Sequence, residues 1–571
     1  MRVKTSKSKN SISYSVIKDI YRNGKRTTKV VETLGNHEEI LKKHPGVDPM
    51  EWAKAYAERL TLEEKDKNKK ITIQYNPNKK IPIGKQNLFN VGYLFLKSIF
   101  HELNLDKLSD KISSQYQFKY DLSDILARLI YIRILHPSSK KSTFEHSKTL
   151  LEQPNFELQH VYRALEVLSD HSDEIQEHVY KNSENIVDRN TNILYYDCTN
   201  YFFEIEESDG LKQYGHSKEN RPNPIVQMGL FMDGSGIPLA FDLTSGNTNE
   251  QTTLRPIERR IIKDFDLSKF VVCTDAGLSS TANRKFNNIG QRAFVTTQSV
   301  KKMKRHLKDW MFDGSGWRLP NSRKEYNMKD LNEDIHFKHV FFKERWINED
   351  GLKQRLIITY SPKYRHYQAS VRQGQIDRAV KKVENPSSLQ KQNAHDVKRF
   401  ISTTHVTNEG EIANQASHTI NEDKISEEAK YDGLYAVCTN LEADVDEIIN
   451  INQRRWEIEE SFRILKTEFK SRPVYVRKET CIQAHFLTCF LALSIFRILE
   501  KKLNEQFTCS NIISTLQEMK VLEITGEGYT PAYRRSEITD ALHETFGFDT
   551  DTEFMTNKTM KNILRKSKNK K

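Results

Sequence analysis

The sequence predicts an α/β fold built on a mixed sheet with flanking helices. Three segments carry that prediction. Leu194-Tyr195-Tyr196-Asp197 and Val271-Val272-Cys273-Thr274-Asp275 are short apolar runs that each end on an aspartate, the pattern of a buried strand that stops at a sheet edge. The segment from Arg455 to Lys466, Arg-Trp-Glu-Ile-Glu-Glu-Ser-Phe-Arg-Ile-Leu-Lys, has helical periodicity and sets glutamates among cations.

The elements follow in chain order. Residues 12 to 34 predict a β-hairpin, because Ser13–Ile17 and Thr27–Val31 flank Asn23-Gly24, a pair suited to a tight turn with positive φ. Asp48 followed by Pro49 predicts a helix start. Residues 64 to 90 are lysine-rich and punctuated by proline, as a linker would be. From 91 to 185 the periodicity is helical, with the clearest apolar stripe at Asp121–Tyr131. This block is either a DNA-binding domain or a scaffold packed on the core. Strands are expected at Ile193–Asp197, Val226–Asp233, Ile237–Leu243, Phe270–Thr274 and Arg292–Thr297. A Gly234-Ser235-Gly236 turn joins the second and third, and a helix at Thr253–Phe265 precedes the fourth.

Residues 300 to 430 read as an insertion, with strands at 337–345 and 352–360 joined by Asn348-Glu349-Asp350-Gly351, then a charged helix at 364–383. Tyr431–Thr439 returns to strand, Val445–Phe469 predicts one long helix, and Glu479–Lys502 a second. The apolar stretch Phe486–Leu499 is too short to span a bilayer and contains Arg497, so a buried helix is expected. Lys561–Lys571 is a basic run expected to be a solvated, disordered end.

Composition narrows the classes. Hydrophobic residues make up 37 % of the 571, with 28 Phe and 23 Tyr, enough for real cores and against global disorder. The excess of 89 basic over 77 acidic residues, a net +12, favours a polyanionic partner. The six cysteines, at 198, 273, 438, 481, 489 and 509, form no Cys-x-x-Cys pair. This argues against a zinc site and a disulfide framework and fits a reducing, cytoplasmic location. Met1–Asn10 is basic and polar, unlike a signal peptide.

Candidate chemistry concentrates at four places. Asp197 and Asp275 close their strands, where α/β sheets gather ligands. On a helix turning about 100° per residue, Arg455, Glu459, Arg463 and Lys466 fall within about 80° of one another, while Glu457 and Glu460 point elsewhere. Such a face is either a row of ion pairs, each contributing a few tenths of a kcal/mol at about 0.2–0.5, or a glutamate for metal with cations for phosphates. The segment Tyr214–Pro222 holds His216, Lys218 and Arg221 in a Gly/Pro-bounded loop, read either as a phosphate contact or as a solvated loop. Trp310 and Trp317 are either core residues or stacking platforms for a displaced base. His485, in an apolar helix, reads as a core histidine.

These residues carry a resemblance. Arg455-Trp456-x-Ile458-Glu459-x-x-Phe462-x-x-Leu465-Lys466 resembles the signature of DDE transposases of bacterial insertion sequences, in which Tyr, Arg, Glu and Lys are separated by two, three and six residues. Arg455, Glu459 and Lys466 match that spacing, and Asn452 stands where the signature has tyrosine. Tyr214–Pro222, Gly246-Asn247-Thr248, Asp275–Ser280 and Ala484–Leu487 also look like the family, so the likeness covers about residues 190 to 505.

The resemblance implies an RNase H-like core interrupted by a mostly β insertion, for which the 184 positions from Asp275 to Glu459 leave room, plus a helical N-terminal domain. The domains expected are 1–90, hairpin and linker; 91–185, helical and expected to bind DNA; 186–300, the first part of the core; 301–430, the insertion, expected to hold the element's end; 431–505, the second part of the core; and 506–571, a C-terminal helical region with the basic tail. Asp197, Asp275 and Glu459 are implied as catalytic residues and metal ligands. Two Mg2+ ions, with Mn2+ able to substitute, suit three hard carboxylates. Arg455, Arg463, Lys466, His216, Lys218 and Arg221 are the DNA-binding candidates. The implied activity is metal-dependent cleavage at element ends and strand transfer to target DNA. Its partners are double-stranded DNA and a second copy in the synaptic complex, with no membrane. A nuclease of the same fold, or a DNA-binding regulator without catalysis, are the alternatives.

Overall fold

The computed structural model describes residues 1–8, 11–22, 25–67, 72–73, 77–78, 80–384, 397–406 and 412–568. They form two compact units, Met1–Lys85 and Gln86–Lys571.

In the first unit, Arg2–Lys7, Ile12–Arg22 and Lys25–Asn36 make an antiparallel three-stranded sheet. Arg2–Lys7 lies in the basic, polar stretch Met1–Asn10. It forms a strand because its backbone pairs with Ile12–Ile17, while most of its side chains stay in solvent. The Asn23-Gly24 turn lies outside the described residues. The helix Pro49–Lys67 begins where Asp48 Oδ1 accepts from the Met50 amide at 2.6 Å, and Ala53 joins Tyr14 and Ile40 in a small core.

The second unit is organised by a ten-stranded sheet. Its centre comprises β1 (Ile193–Phe202), β2 (Ile225–Asp233), β3 (Pro238–Ser245), β4 (Val271–Thr274) and β5 (Ala293–Gln298). These lie in the order β3-β2-β1-β4-β5, the first three antiparallel, with β4 parallel to both β1 and β5. An antiparallel meander that continues into parallel strands is the RNase H-like arrangement. The crossover from β3 to β4 is α1 (Glu250–Asp264), capped by Asn249. The β2–β3 turn is held by Asp233, whose Oδ1 accepts from the amides of Ser235 and Ile237 at 3.0 Å. Its Oδ2 takes the buried Arg189 guanidinium at 2.6 Å.

The insertion does not stand apart from this sheet. β6 (Phe341–Glu349) and β7 (Leu352–Tyr360), joined through Asp350 and Gly351 at φ 53° and 75°, form a hairpin whose β7 pairs with β8 (Leu434–Thr439), which pairs with β5. Their Leu356 and Ile358 complete a core with Phe294 and Cys438 from β5 and β8.

Three expectations need correction. The first strand does not stop at Asp197, because Cys198–Phe202 stay buried and keep their pairing with β2. The single helix expected at 445–469 is two, α2 (Val445–Gln453) and α3 (Trp456–Thr467). At the break the Arg455 amide turns to the Asn452 carbonyl at 3.4 Å, and the Ile451 carbonyl instead accepts the Tyr195 hydroxyl of β1 at 3.0 Å. The basic tail is not wholly disordered, since Asn557–Lys566 is a helix that buries Met560 and Ile563.

Behind the sheet runs α4 (Glu479–Lys502), buried from Cys481 to Glu500 apart from Gln483 and Arg497. It is the one described helix long and apolar enough to cross a membrane, and 89 % of its apolar window is buried inside the protein, in keeping with the buried helix that the sequence predicts at Glu479–Lys502. Helices Tyr93–Glu102, Leu122–Leu135 and Leu158–Asp170 pack on it and share its core. The 91–185 block therefore has no core of its own.

Glu258 of α1 generates a test. It is completely buried, and burial pushes its carboxyl up to about 8 against the pull of Asn287 and Arg292. The folded chain holds this proton through a pH range where the unfolded chain releases it, so stability falls as pH rises from the ordinary glutamate value to about 8. Glu258→Gln should match the wild type near pH 4 and exceed it by about 2–4 kcal/mol near pH 9, read by denaturant titration. A difference independent of pH would contradict this.

Candidate active site

Parallel pairing places the first two acids. β1 and β4 are in register as Ile193↔Val271, Leu194↔Val272 and Tyr195↔Cys273. Continued two residues further, that register sets Asp197 opposite Asp275. Adjacent strands run about 4.8 Å apart and alternate faces, so both carboxyls leave the sheet on one side. It is the side of Tyr195 and Cys273, whose hydroxyl and thiol both meet the Ile451 carbonyl, and so it faces the α2–α3 break.

Asp197 is half-buried and accepts from the Cys198 amide at 2.7 Å. Burial pushes its carboxyl up to about 6, Lys218 and Arg455 pull it down, and Asp275 pushes it up again. Asp275 Oδ1 accepts from the Leu278 amide at 3.0 Å and so fixes the turn after β4. Arg455, at the start of α3, is the cation between Asp275 and Glu459. Burial lowers its pKa, but the fields of Tyr435, Glu459, Cys273 and Asp275 leave it raised.

Glu459 pairs with Arg455 at 3.2 Å and remains 56 % exposed. Among the described residues, the set of three ligand atoms lying within 4.8 Å of one another is Asp540, His543 and Asp551, so Asp197, Asp275 and Glu459 stand wider apart than that. Arg535 already pairs with Asp540 at 2.6 Å and Asp551 at 3.4 Å. The donor chemistry of Asp197, Asp275 and Glu459 does fit a hard divalent cation. All three offer carboxylate oxygen, and the Asp197 charge is penalised by burial and by Asp275.

Lys466 reaches the same place from the far end of α3. Its ammonium donates to Thr199 Oγ1 on β1, two residues beyond Asp197 on the same face. Burial and then Lys218 bring its pKa down to about 8, opposed by Asp197. Lys218 donates to the Cys198 carbonyl at 2.6 Å and pairs with Glu250 at 3.0 Å. Against burial, which lowers it, Asp197 and Glu250 hold the Lys218 ammonium above its ordinary value.

The structure thus brings Asp197, Asp275, Arg455, Lys218 and Lys466 together, with Glu459 at the rim. The other candidates lie elsewhere. Arg463, about 80° around α3 from Arg455, pairs instead with Glu460 at 3.1 Å. His216 is exposed, with its carbonyl accepting from Asn200 at 3.0 Å. Arg221 stacks over the Phe202 ring at 4.1 Å, about half exposed. Trp317 is buried, which excludes it as a stacking platform, and Trp310 is flanked by Lys343 and Arg345.

Sequence reasoning missed Thr199 and Glu250. Strand alternation from Asp197 would have found Thr199. It also missed Tyr435 on β8, whose hydroxyl lies 2.6 Å from Thr297 Oγ1 and accepts from Asn452 Nδ2 at 3.1 Å. Asn452 is therefore turned into the sheet, and Tyr435 brings an aromatic hydroxyl to its side. A cavity of about 400 Å3 beside them is lined by Tyr364, Tyr435, Asn452, Arg455, Trp456 and Glu459.

Two family-like stretches meet through their glycines. A Cβ on Gly215 would stand 1.9 Å from the Gly246 carbonyl oxygen. This backbone contact holds the Lys218 loop against the end of β3. Gly215→Ala should cost about 2–4 kcal/mol in denaturant titration, whereas Gly374→Ala, with nothing within 4 Å of its added Cβ, should be neutral or stabilising. Equal effects would remove the contact from the account.

The family described as "Transposase DDE domain" matches residues 201–495, just over half of the chain, a span that holds Asp275 and Glu459 and begins four residues after Asp197. No curated protein matches. Among solved structures, a piggyBac transposase synaptic complex with hairpin DNA has a TM-score of 0.36 at 8 % identity, covering 83 % of this chain and 85 % of that one. A Mos1 transposase paired-end complex with the left transposon end has a TM-score of 0.13 at 13 % identity, covering 44 % and 69 %. By the family match, this chain belongs to the DDE-domain transposases.

Proposed function

We propose that the protein is an insertion-sequence transposase that cleaves DNA at the ends of its element and joins the freed 3′-hydroxyl to target DNA. The observation that carries this reading is the parallel register that aligns Asp197 with Asp275 on the face where α3 brings Arg455, Glu459 and Lys466.

In this reading Asp197, Asp275 and Glu459 hold a pair of Mg2+ ions, or Mn2+, which supply Lewis-acid activation of the attacking and leaving oxygens. The chain's own groups do the rest. Arg455 keeps Glu459 beside the aspartates and offers its guanidinium to a phosphate. Lys466 and Lys218 flank Asp197 and place positive charge where a cleaved phosphodiester carries its negative charge. His216 and Arg221, exposed on the loop after β1, contact backbone phosphates further along the duplex, and Arg463 does so from the outer side of α3. Such contacts position DNA without reading its sequence. Recognition of element ends falls to the N-terminal sheet, the 91–185 helices and the 301–430 segment. Two copies assemble on two ends, in the cytoplasm.

Glu459→Gln, Asp197→Asn and Asp275→Asn should each lower cleavage of end DNA by about three orders of magnitude or more while leaving duplex binding within a few-fold in gel shift. Glu460→Gln should cleave normally. Near-normal cleavage by Glu459→Gln, with the loss in Glu460→Gln, would place the active glutamate on the other face of α3.

Arg455→Ala and Lys466→Ala should weaken duplex binding and reduce the log–log salt slope by about 0.9 per lost phosphate contact. Unchanged slopes in both would assign these cations to structural pairing alone.

A further inference from the structure

A second basic cavity, of about 360 Å3, lies outside the candidate active site. It opens where the turn after the helix Leu122–Leu135 meets the segment after α3. Arg133, Ser138, Lys140, Lys470 and Arg472 are among its polar lining residues, and among the described residues no carboxylate lines it.

Lys140 is the telling residue. It is 4 % exposed, and its Nζ has no hydrogen-bond partner among the described residues. Arg133, 3 % exposed, spends two guanidinium nitrogens on the Phe469 and Ser138 carbonyls at 3.3 and 3.1 Å, yet its Nε has no partner. The buried Ser138 hydroxyl is also unpartnered. Arg472 is paired with Glu219. Lys140 begins the helix Lys140–Ser147, capped by Ser139, so the positive end of that helix opens on the same space. A buried ammonium normally carries a paired carboxylate or several acceptors, because leaving it bare costs several kcal/mol, about 3–5 when a partner is removed. Here unpartnered donors converge, and no acid among the described residues meets them.

We propose that this cavity is a phosphate-binding site, with Lys140, Arg133 Nε and the Ser138 hydroxyl as its inner donors and Lys470 at its mouth. Charge and hydrogen-bond count both call for a compact polyacceptor anion, and a phosphate group supplies the acceptors that the chain omits. Burial and then Arg133 bring the Lys140 ammonium down to about 7, and burial, Arg133 and Lys140 keep the adjoining His485 imidazole well below its ordinary value. Burial sets both directions first, and the neighbouring cations add to them, an addition that a bound anion would offset.

The phosphate comes from the backbone of bound DNA or from a free phosphorylated molecule. The first source rests on the function proposed above, and the second does not. Val474 bridges to Phe203 at the end of β1, so the strand that carries Asp197 leads toward this cavity. A duplex held at the active site would need a second anchor of this kind to fix its direction.

The test uses the full-length chain and Lys140→Met, which keeps the side chain's bulk and removes its charge. Inorganic phosphate, raised to roughly 20 mM against chloride at equal ionic strength, should raise the wild-type Tm by about 1–3 °C and leave the variant unmoved. In parallel, duplex binding is titrated with salt. A slope smaller by about 0.9 in Lys140→Met assigns the site to a DNA phosphate. An unchanged slope, with the phosphate response lost, assigns it to a free phosphorylated molecule. Lys470→Ala, at the exposed mouth, should weaken the same responses and guards against misfolding of the buried variant. No phosphate-specific rise in the wild type, or an equal rise in both variants, together with unchanged slopes, overturns the proposal. Failure of the wild type to bind duplex at all would sink the proposed function, while the phosphate titration would still decide the cavity.

Discussion

The constraint on which the rest depends is the parallel pairing of β1 with β4. Only three residue pairs define it, yet it decides which side chains of two distant segments share a face. Parallel strands need a crossover, and here α1 provides it after the β1–β2–β3 meander. A slip of one residue would turn Asp275 to the opposite face, where Tyr196 and Cys198 meet Thr253 of α1. The same pairing puts Tyr195 and Cys273 under the Ile451 carbonyl, and so links the register of the sheet to the break between α2 and α3.

That break matters as much as the register. An unbroken helix would satisfy Ile451 internally and leave the Tyr195 hydroxyl buried without a partner, at about 1–3 kcal/mol. By ending α2 early, the chain pairs the hydroxyl and starts α3 in a new phase. Arg455 then meets Glu459 and faces Asp275, Lys466 reaches Thr199, and Arg463 is left to Glu460. The active face is thus set by a backbone hydrogen bond as well as by the spacing of the charged residues.

The charge distribution separates two kinds of basic site. Around Asp197 the cations are balanced: Lys218 by Glu250, Arg455 by Glu459, with the two aspartates between them. Around Lys140 the cations outnumber the acids and the buried donors lack acceptors. The first arrangement suits a place where cations and phosphates come and go. The second suits a single anion held in one position.

Much of this was legible in residue order. Apolar runs ending at Asp197 and Asp275, the turn signals of the β2–β3 and β6–β7 hairpins, and the spacing of Arg455, Glu459 and Lys466 are local patterns, and local patterns survive in one dimension. The tertiary structure alone decided the extension of β1 past Asp197, the addition of β6 and β7 to the core sheet, the division of α2 from α3, and the arrival of Tyr435 and Glu250 at the site. It also decided that Lys140, unremarkable in sequence, is buried without a partner. Each of these depends on which distant segment supplies the hydrogen bond or the buried surface, as β2 does for Cys198–Phe202 and Tyr195 for Ile451. Periodicity describes how a segment presents its own face, whereas pairing partners are set by competition among all faces for burial.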